Sequence, residues 1–273
     1  GFVGDGTARI AALLAMAAPS LILWSAVGVR DAPIHLCLMI GMAAACRLES
    51  QARLPMLVVA CLSVGILTGL RPHVGVIVGL GVIAGTLRRP SIPRVAGLAF
   101  LVVGVGTAIA AAGQGFLGYE HIVQEWGLQA LATKRMDLAT GGDSSYMAHV
   151  NIANPGELVR FLPIAIFYFF FSPFPWEATR SSLALMSLPE SLCWYTLLPA
   201  AAVGTAMLLR SRPPGIATLA IVMTCLGIVY TLLEGNVGTL YRHRVQFQLL
   251  ALVPIAAGLG RFLGPRFAFC RET

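Results

Sequence analysis

Leu54–Leu70 reads LPMLVVACLSVGILTGL, a run with no ionisable side chain. It is followed at once by Arg71-Pro72-His73 and then by a second apolar run, Val74–Leu87. A helix needs about 20 residues, within a range near 17–25, to cross the hydrocarbon of a bilayer. The first run reaches that range, and the second is short and rich in glycine. Backbone exposed to lipid has to satisfy its own hydrogen bonds, so runs of this kind are helices. The stretch reads as two neighbouring segments of a polytopic membrane protein.

The pattern repeats on both sides. Towards the N-terminus lie Ala32–Cys46, ending at Arg47-Leu48-Glu49, and Ile10–Val29, stopping at Arg30-Asp31. Towards the C-terminus come Val95–Gly113, Phe161–Phe174, Leu192–Leu209, Gly215–Leu233 and Val245–Leu263, with Gln114–Arg160 as the one long polar stretch. Composition agrees. Charged residues are 11% and hydrophobic residues 57% of the 273, where soluble domains carry about 25% charge. So few charges cannot cover a soluble domain of this size. All but one of the 19 basic residues are Arg, and they cluster between apolar runs in a chain of net charge +7. That placement reports topology and lipid headgroup contact, not nucleic-acid binding.

Sidedness follows from the basic residues of short loops. Arg9, Arg47, Arg53, Arg88, Arg89 and Arg94 share one side, against Arg30 and Arg71 on the other. The richer side is cytoplasmic, which makes 114–160 external. Arg210, Arg212, Arg261, Arg266 and Arg271 also belong inside. They fall there only if Phe161–Phe174, which is short and runs into Pro173-Phe174-Pro175-Trp176, stays at the outer boundary as a re-entrant or interfacial segment. The expected architecture is therefore an all-α transmembrane helix bundle of about eight spans. It divides into a first block over 1–113, an external loop with the interfacial segment over 114–190, and a C-terminal block over 191–273. Within the loop, Tyr119–Leu138 reads as a surface helix ending in a turn at Thr140–Ser145. The chain opens at Gly1 without Met or signal-peptide layout, so a piece of a longer protein is expected.

The outer face collects the candidate site. Arg71, Arg242 and Arg244, with Arg30, present planar forks of donors suited to phosphate oxygens, or else snorkel singly to the interface. His73 and His243 offer acid/base groups, or hydrogen-bond donors beside the arginines. Asp31 reads either as a general base or as a local charge partner or helix cap. Glu234-Gly235-Asn236 reads as a helix stop and turn. Trp176 is either an interfacial anchor or a stacking platform. In Glu120–Glu125, His121 and Glu125 fall one helical turn apart as possible metal ligands, without a convincing third. No nucleotide-binding signature is present, so no cofactor is assigned, and a divalent metal alone stays open.

Pro19–Ser25 followed by Arg30-Asp31, Leu70-Arg71-Pro72-His73, Phe171–Trp176 and Asn236–Arg244 together resemble blocks of polytopic envelope-sugar enzymes. These are the GT-C-type glycosyltransferases related to the family 39 protein mannosyltransferases, and polysaccharide polymerases. The resemblance covers most of the chain in short blocks. It implies a multi-pass enzyme of the cytoplasmic (inner) membrane that takes sugar from a polyprenyl-phosphate donor at the outer face. Polyprenyl phosphate and anionic lipids would be its partners. In that family the catalytic acid sits in the first external loop near the start of the protein. Two other readings stand beside this one: a polysaccharide polymerase or ligase, and a lipid-linked-sugar transporter or flippase. The second would show interrupted helices and polar residues within spans.

Overall fold

The computed structural model describes residues 4–27, 30–51, 53–87, 128–140, 144–176 and 182–263, with a few positions between 95 and 106. Among the described residues the protein is all helix, with a single isolated bridge from Ser145 to Asn236 and no strand. The helices are α1 (Asp5–Ala17), α2 (Pro19–Val27), α3 (Asp31–Ser50), α4 (Leu54–Leu70) and α5 (Pro72–Leu87). After these come α6 (Leu128–Thr140), α7 (Pro155–Phe171), α8 (Ser182–Ser211), α9 (Ile216–Leu233) and α10 (Val237–Leu263).

Among the described residues, four stretches are long and apolar enough to cross a membrane: Asp31–Ser50, Leu185–Ser211, Ile216–Leu233 and Val237–Leu263. The count is lower than the expected eight for identifiable reasons. α4, at 17 residues, stands at the lower bound of the spanning range, and α5, at 16, falls just below it. The first expected span is broken, because Ala18 precedes Pro19 and takes an extended backbone (φ −77°, ψ 110°) where a proline ring disfavours the helical one. Val95–Gly113 and most of Tyr119–Leu138 lie outside the described residues.

Proline also places Arg71. Lying between α4 and Pro72, it is held extended (φ −147°, ψ 93°), so a single residue joins two helices. The joint is tight: a Cβ on Gly75 would lie 2.4 Å from the Thr68 backbone nitrogen.

The helix ends sort into two groups. At one end Gly215 N–H donates to the Glu49 carboxylate at 2.6 Å, and Thr218 Oγ1 to the Gly81 carbonyl at 3.2 Å. Arg47, Arg53, Arg210 and Arg212 belong to helix ends on this side. At the other end Asp31, Arg71 and Arg242 meet. α8 and α10 run parallel, since Glu190 meets Tyr241 early in both and Gly204 meets Gly258 further along.

Two boundaries differ from expectation. α8 reaches back to Ser182 and carries Glu190 on a helix otherwise read as apolar. α10 begins at Val237 instead of Val245, capped by Asn236, whose Oδ1 accepts from Gly238 N–H at 2.8 Å. Arg242-His243-Arg244 are therefore helical residues.

α6 and the 144–154 segment cover the α9–α10 turn. Ser144 Oγ donates to Asn236 Oδ1 at 2.8 Å, and Tyr146 N–H to the Gly235 carbonyl at 2.9 Å. α7 starts at Pro155 behind the Asn154 cap and ends at Ser172. Its Phe161 ring lies under Arg135, 4.3 Å from the guanidinium carbon. The Ser172 carbonyl, just past its last turn, accepts from Arg244.

Candidate functional site

Asp31 opens α3, where the helix dipole favours a carboxylate, and its side chain is 2% exposed. It is met by cations from 40 and 211 residues away in the chain. Arg71 Nη2 donates to Oδ1 at 2.8 Å, and Arg242 Nε donates to Oδ2 at 2.6 Å. Both carboxylate oxygens are thus engaged, and in this arrangement Asp31 organises two guanidinium groups. Arg242 also lies over the Trp24 ring, 5.4 Å from its centroid, and its side chain is 36% exposed against 12% for Arg71. Two guanidinium groups share the Asp31 carboxylate, while the Glu234 carboxylate is engaged by His243 and Thr239. Guanidinium cations attract anions.

The Arg242-His243-Arg244 run does not act as one cluster. Successive helical residues point about 100° apart, so the three side chains separate. Arg242 goes to Asp31. His243 goes to Glu234, its Nδ1 on Oε1. Arg244, fully buried, turns away from both and donates through Nη1 to the carbonyls of Phe169 at 3.2 Å and Ser172 at 2.5 Å. Its expected place beside Arg71 and Arg242 is taken by a clamp on the α7 turn. Arg30 is exposed, with no ion pair among the described residues.

His73 and His243 flank the buried Tyr230 of α9. The His73 ring meets it edge-on at 5.8 Å and the His243 ring stacks on it at 5.4 Å. Tyr230 OH donates to Gln246 Oε1 at 2.6 Å. One turn below Asp31, His35 is buried with no hydrogen-bond partner for either ring nitrogen among the described residues.

Glu234, read from sequence as part of a turn, is held from several directions. Its Oε2 accepts from Thr239 Oγ1 at 2.7 Å, and its backbone carbonyl accepts from Arg135 Nη1 at 2.9 Å and Tyr146 OH at 2.7 Å. Burial pushes the Tyr146 phenol above its ordinary value, and the Arg135 guanidinium offsets this only in part. Glu190 is the other carboxylate that sequence reading passed over. It accepts from the Ser20 amide at 2.7 Å and from Tyr241 OH at 2.7 Å, capping α2 just beyond the Ala18 break. Its signal was a lone acid after Pro189 inside an apolar stretch, and polar residues in such places repay attention.

Among the described residues no three His, Cys, Asp or Glu side chains converge as a metal site; Glu120, His121 and Glu125 lie outside them. Trp176 is 71% exposed and stacks on Phe174 at 4.9 Å. An apolar groove of about 510 Å³ opens between α7, α8, α9 and α10, with Leu162, Phe170, Leu208, Met223 and Phe247 among its lining. No protein-family model, curated protein or solved structure matches the chain.

Proposed function

We propose that this membrane protein transfers sugar from a polyprenyl-phosphate donor at the outer face of the cytoplasmic membrane. Arg71 and Arg242 bind the donor phosphate, and Asp31 holds them in place. The reading rests on one observation above all: the two arginines, brought from distant helix ends, share one buried carboxylate, and the Arg242 side chain stays 36% exposed. A phosphate leaving group gains charge as the glycosidic bond breaks, and cations fixed beside it stabilise that charge. The apolar groove supports the reading as a place of the right character for an isoprenoid chain.

The sidedness supports it too. Arg47, Arg53, Arg210 and Arg212 gather at the end opposite Asp31, which makes the Asp31 end external. α7, tied near Phe161 to Arg135 and at Ser172 to Arg244, then lies at the outer side without crossing. With α1–α2 as one broken span and α4 and α5 crossing beside α3, α8, α9 and α10, the described helices supply seven of the roughly eight expected spans.

A flippase for the same lipid is favoured by a different observation, the break at Ala18 with Glu190 on the new helix start. Binding of decaprenyl phosphate to the protein in nanodiscs tests the shared part, with Arg242→Lys as the variant. Lys keeps the charge but loses the planar fork, so affinity should fall about tenfold or more, in line with charged hydrogen bonds worth about 1.5–3 kcal/mol. Unchanged affinity would remove the phosphate site. Release of labelled mannose from decaprenyl-phosphate mannose separates transferase from flippase.

A further inference from the structure

We infer that Glu234 and His243 form an acid–base dyad beside the Arg71–Arg242 pair, with His243 taking the proton from the hydroxyl that attacks the sugar. This rests on the transferase reading and places the base apart from Asp31, whose two oxygens each accept from an arginine.

The construction around Glu234 carries the inference. The side chain is fully buried, and one oxygen accepts from Thr239 while the other meets His243 Nδ1. Its backbone carbonyl is fixed by Arg135 and Tyr146, so α6, the 144–154 segment and α10 all hold the same residue. A bare helix stop needs none of this. A carboxylate on Nδ1 fixes the proton there, leaving Nε2 as the basic nitrogen, and it stabilises the imidazolium that forms when Nε2 takes a proton. The ring is also fixed in orientation, stacked on Tyr230. Tyr230 links the dyad to the arginines: the His243 ring stacks on it, and Arg71 reaches its hydroxyl from the α4–α5 joint.

In the step itself the acceptor oxygen bonds to the anomeric carbon and its proton passes to His243 Nε2. The bond from that carbon to the phosphate oxygen breaks, and the phosphate leaves with the electron pair beside Arg71 and Arg242. Loss of the proton to water resets the ring. The charged and titratable groups around the dyad are Tyr230 from α9, His73 from α5, Arg71 between α4 and α5, Asp31 at the start of α3, Arg135 from α6, Tyr146 from the 144–154 segment, and Arg242 on α10 itself.

The test uses the protein in nanodiscs with decaprenyl-phosphate mannose, with His243→Gln, Glu234→Gln and the exposed His149→Gln as the control. His243→Gln should keep decaprenyl phosphate binding within about twofold and lower mannose transfer about 100-fold or more, the scale of general base catalysis. Glu234→Gln should lower transfer less and move the acid limb of the pH profile, which a purely structural role would leave in place. Carbethoxylation with diethyl pyrocarbonate, read by mass spectrometry, adds a measurement that does not depend on activity. His243 should react in the wild type and be protected by decaprenyl phosphate. A His243 that does not react, or that reacts equally with and without the lipid, overturns the dyad. So does a His243→Gln variant with wild-type transfer. Should the wild type bind the lipid, protect His243 and still transfer sugar from none of the decaprenyl-phosphate mannose, glucose and galactose donors, the transferase reading fails and the proton-transfer role goes with it. An Arg242→Lys variant that binds normally points elsewhere, to failure of the phosphate site alone.

Discussion

Gly204 of α8 and Gly258 of α10 touch backbone to backbone. A Cβ on Gly204 would lie 1.8 Å from the Pro254 carbonyl oxygen, and one on Gly258 would lie 2.0 Å from that of Ala200. Small residues at four-residue spacing let membrane helices approach this closely. The crossing sets the parallel pair that carries Glu190 on one helix and Arg242 and His243 on the other.

The first prediction follows from that contact. Gly204→Ala and Gly258→Ala should each force the two helices apart, at a cost of about 1–3 kcal/mol or more. Thermal melting in detergent should show both variants lowered, while Gly65→Ala, where no atom lies within 4 Å of the added carbon, should melt like the wild type. Equal melting of all three would show that the crossing is not close-packed.

Arg244 gives the second. Its guanidinium serves the carbonyls of Phe169 and Ser172, so Arg244→Met leaves buried acceptors without donors, each worth about 1–3 kcal/mol. The variant should be clearly less stable in the same melt and should expose the α7 turn to proteolysis. Decaprenyl phosphate affinity, measured on the folded fraction, should hold within about twofold. A large selective loss of affinity with normal stability would return Arg244 to the phosphate site.

Much of this was legible in the chain. Apolar runs and scarce charge mark the membrane class, and Arg71 can be located because Pro72 fixes the backbone before it. Asp31 follows similarly from its place at the start of an apolar helix. The Arg242-His243-Arg244 run misleads because three consecutive donors look like one cluster until the helix is known to begin at Val237. Glu234 and Glu190 stay hidden for another reason. Their roles come from partners far away in sequence, Tyr146 and Arg135 for one and Ser20 and Tyr241 for the other, and no local spacing announces such pairings. Whether α7 crosses depends likewise on Arg135 and Arg244, which reach its two ends from separate elements.

The third prediction concerns pH. Burial raises the folded-state value of the Tyr146 phenol above its unfolded value, near 10 for tyrosine. A group raised in this way stabilises the fold fully below the unfolded value, and the contribution is lost as pH rises towards the folded one. Stability should therefore fall above about pH 10, and Tyr146→Phe should flatten that slope. The same variant removes the hydrogen bond to the Glu234 carbonyl, so its stability at neutral pH should drop by about 1 kcal/mol. An unchanged alkaline slope in the variant would assign the loss to other groups.

The fourth prediction reverses the charge balance at Asp31. In the wild type one carboxylate stands between Arg71 and Arg242. Asp31→Asn keeps the shape, removes the negative charge, and leaves two guanidinium groups facing each other. Removing one partner of a buried ion pair costs about 3–5 kcal/mol, so the variant should melt well below the wild type. The loss should also be recoverable, because an anion entering the site supplies the missing charge. Inorganic phosphate should raise the melting temperature of Asp31→Asn more than that of the wild type, and chloride at equal ionic strength should do less. A ligand that binds only the folded state stabilises it in proportion to the logarithm of its concentration over its dissociation constant, so the shift should keep growing as phosphate is added. If phosphate stabilises neither protein more than chloride does, the arginines do not form an anion site. In that case Asp31 is a structural ion pair alone.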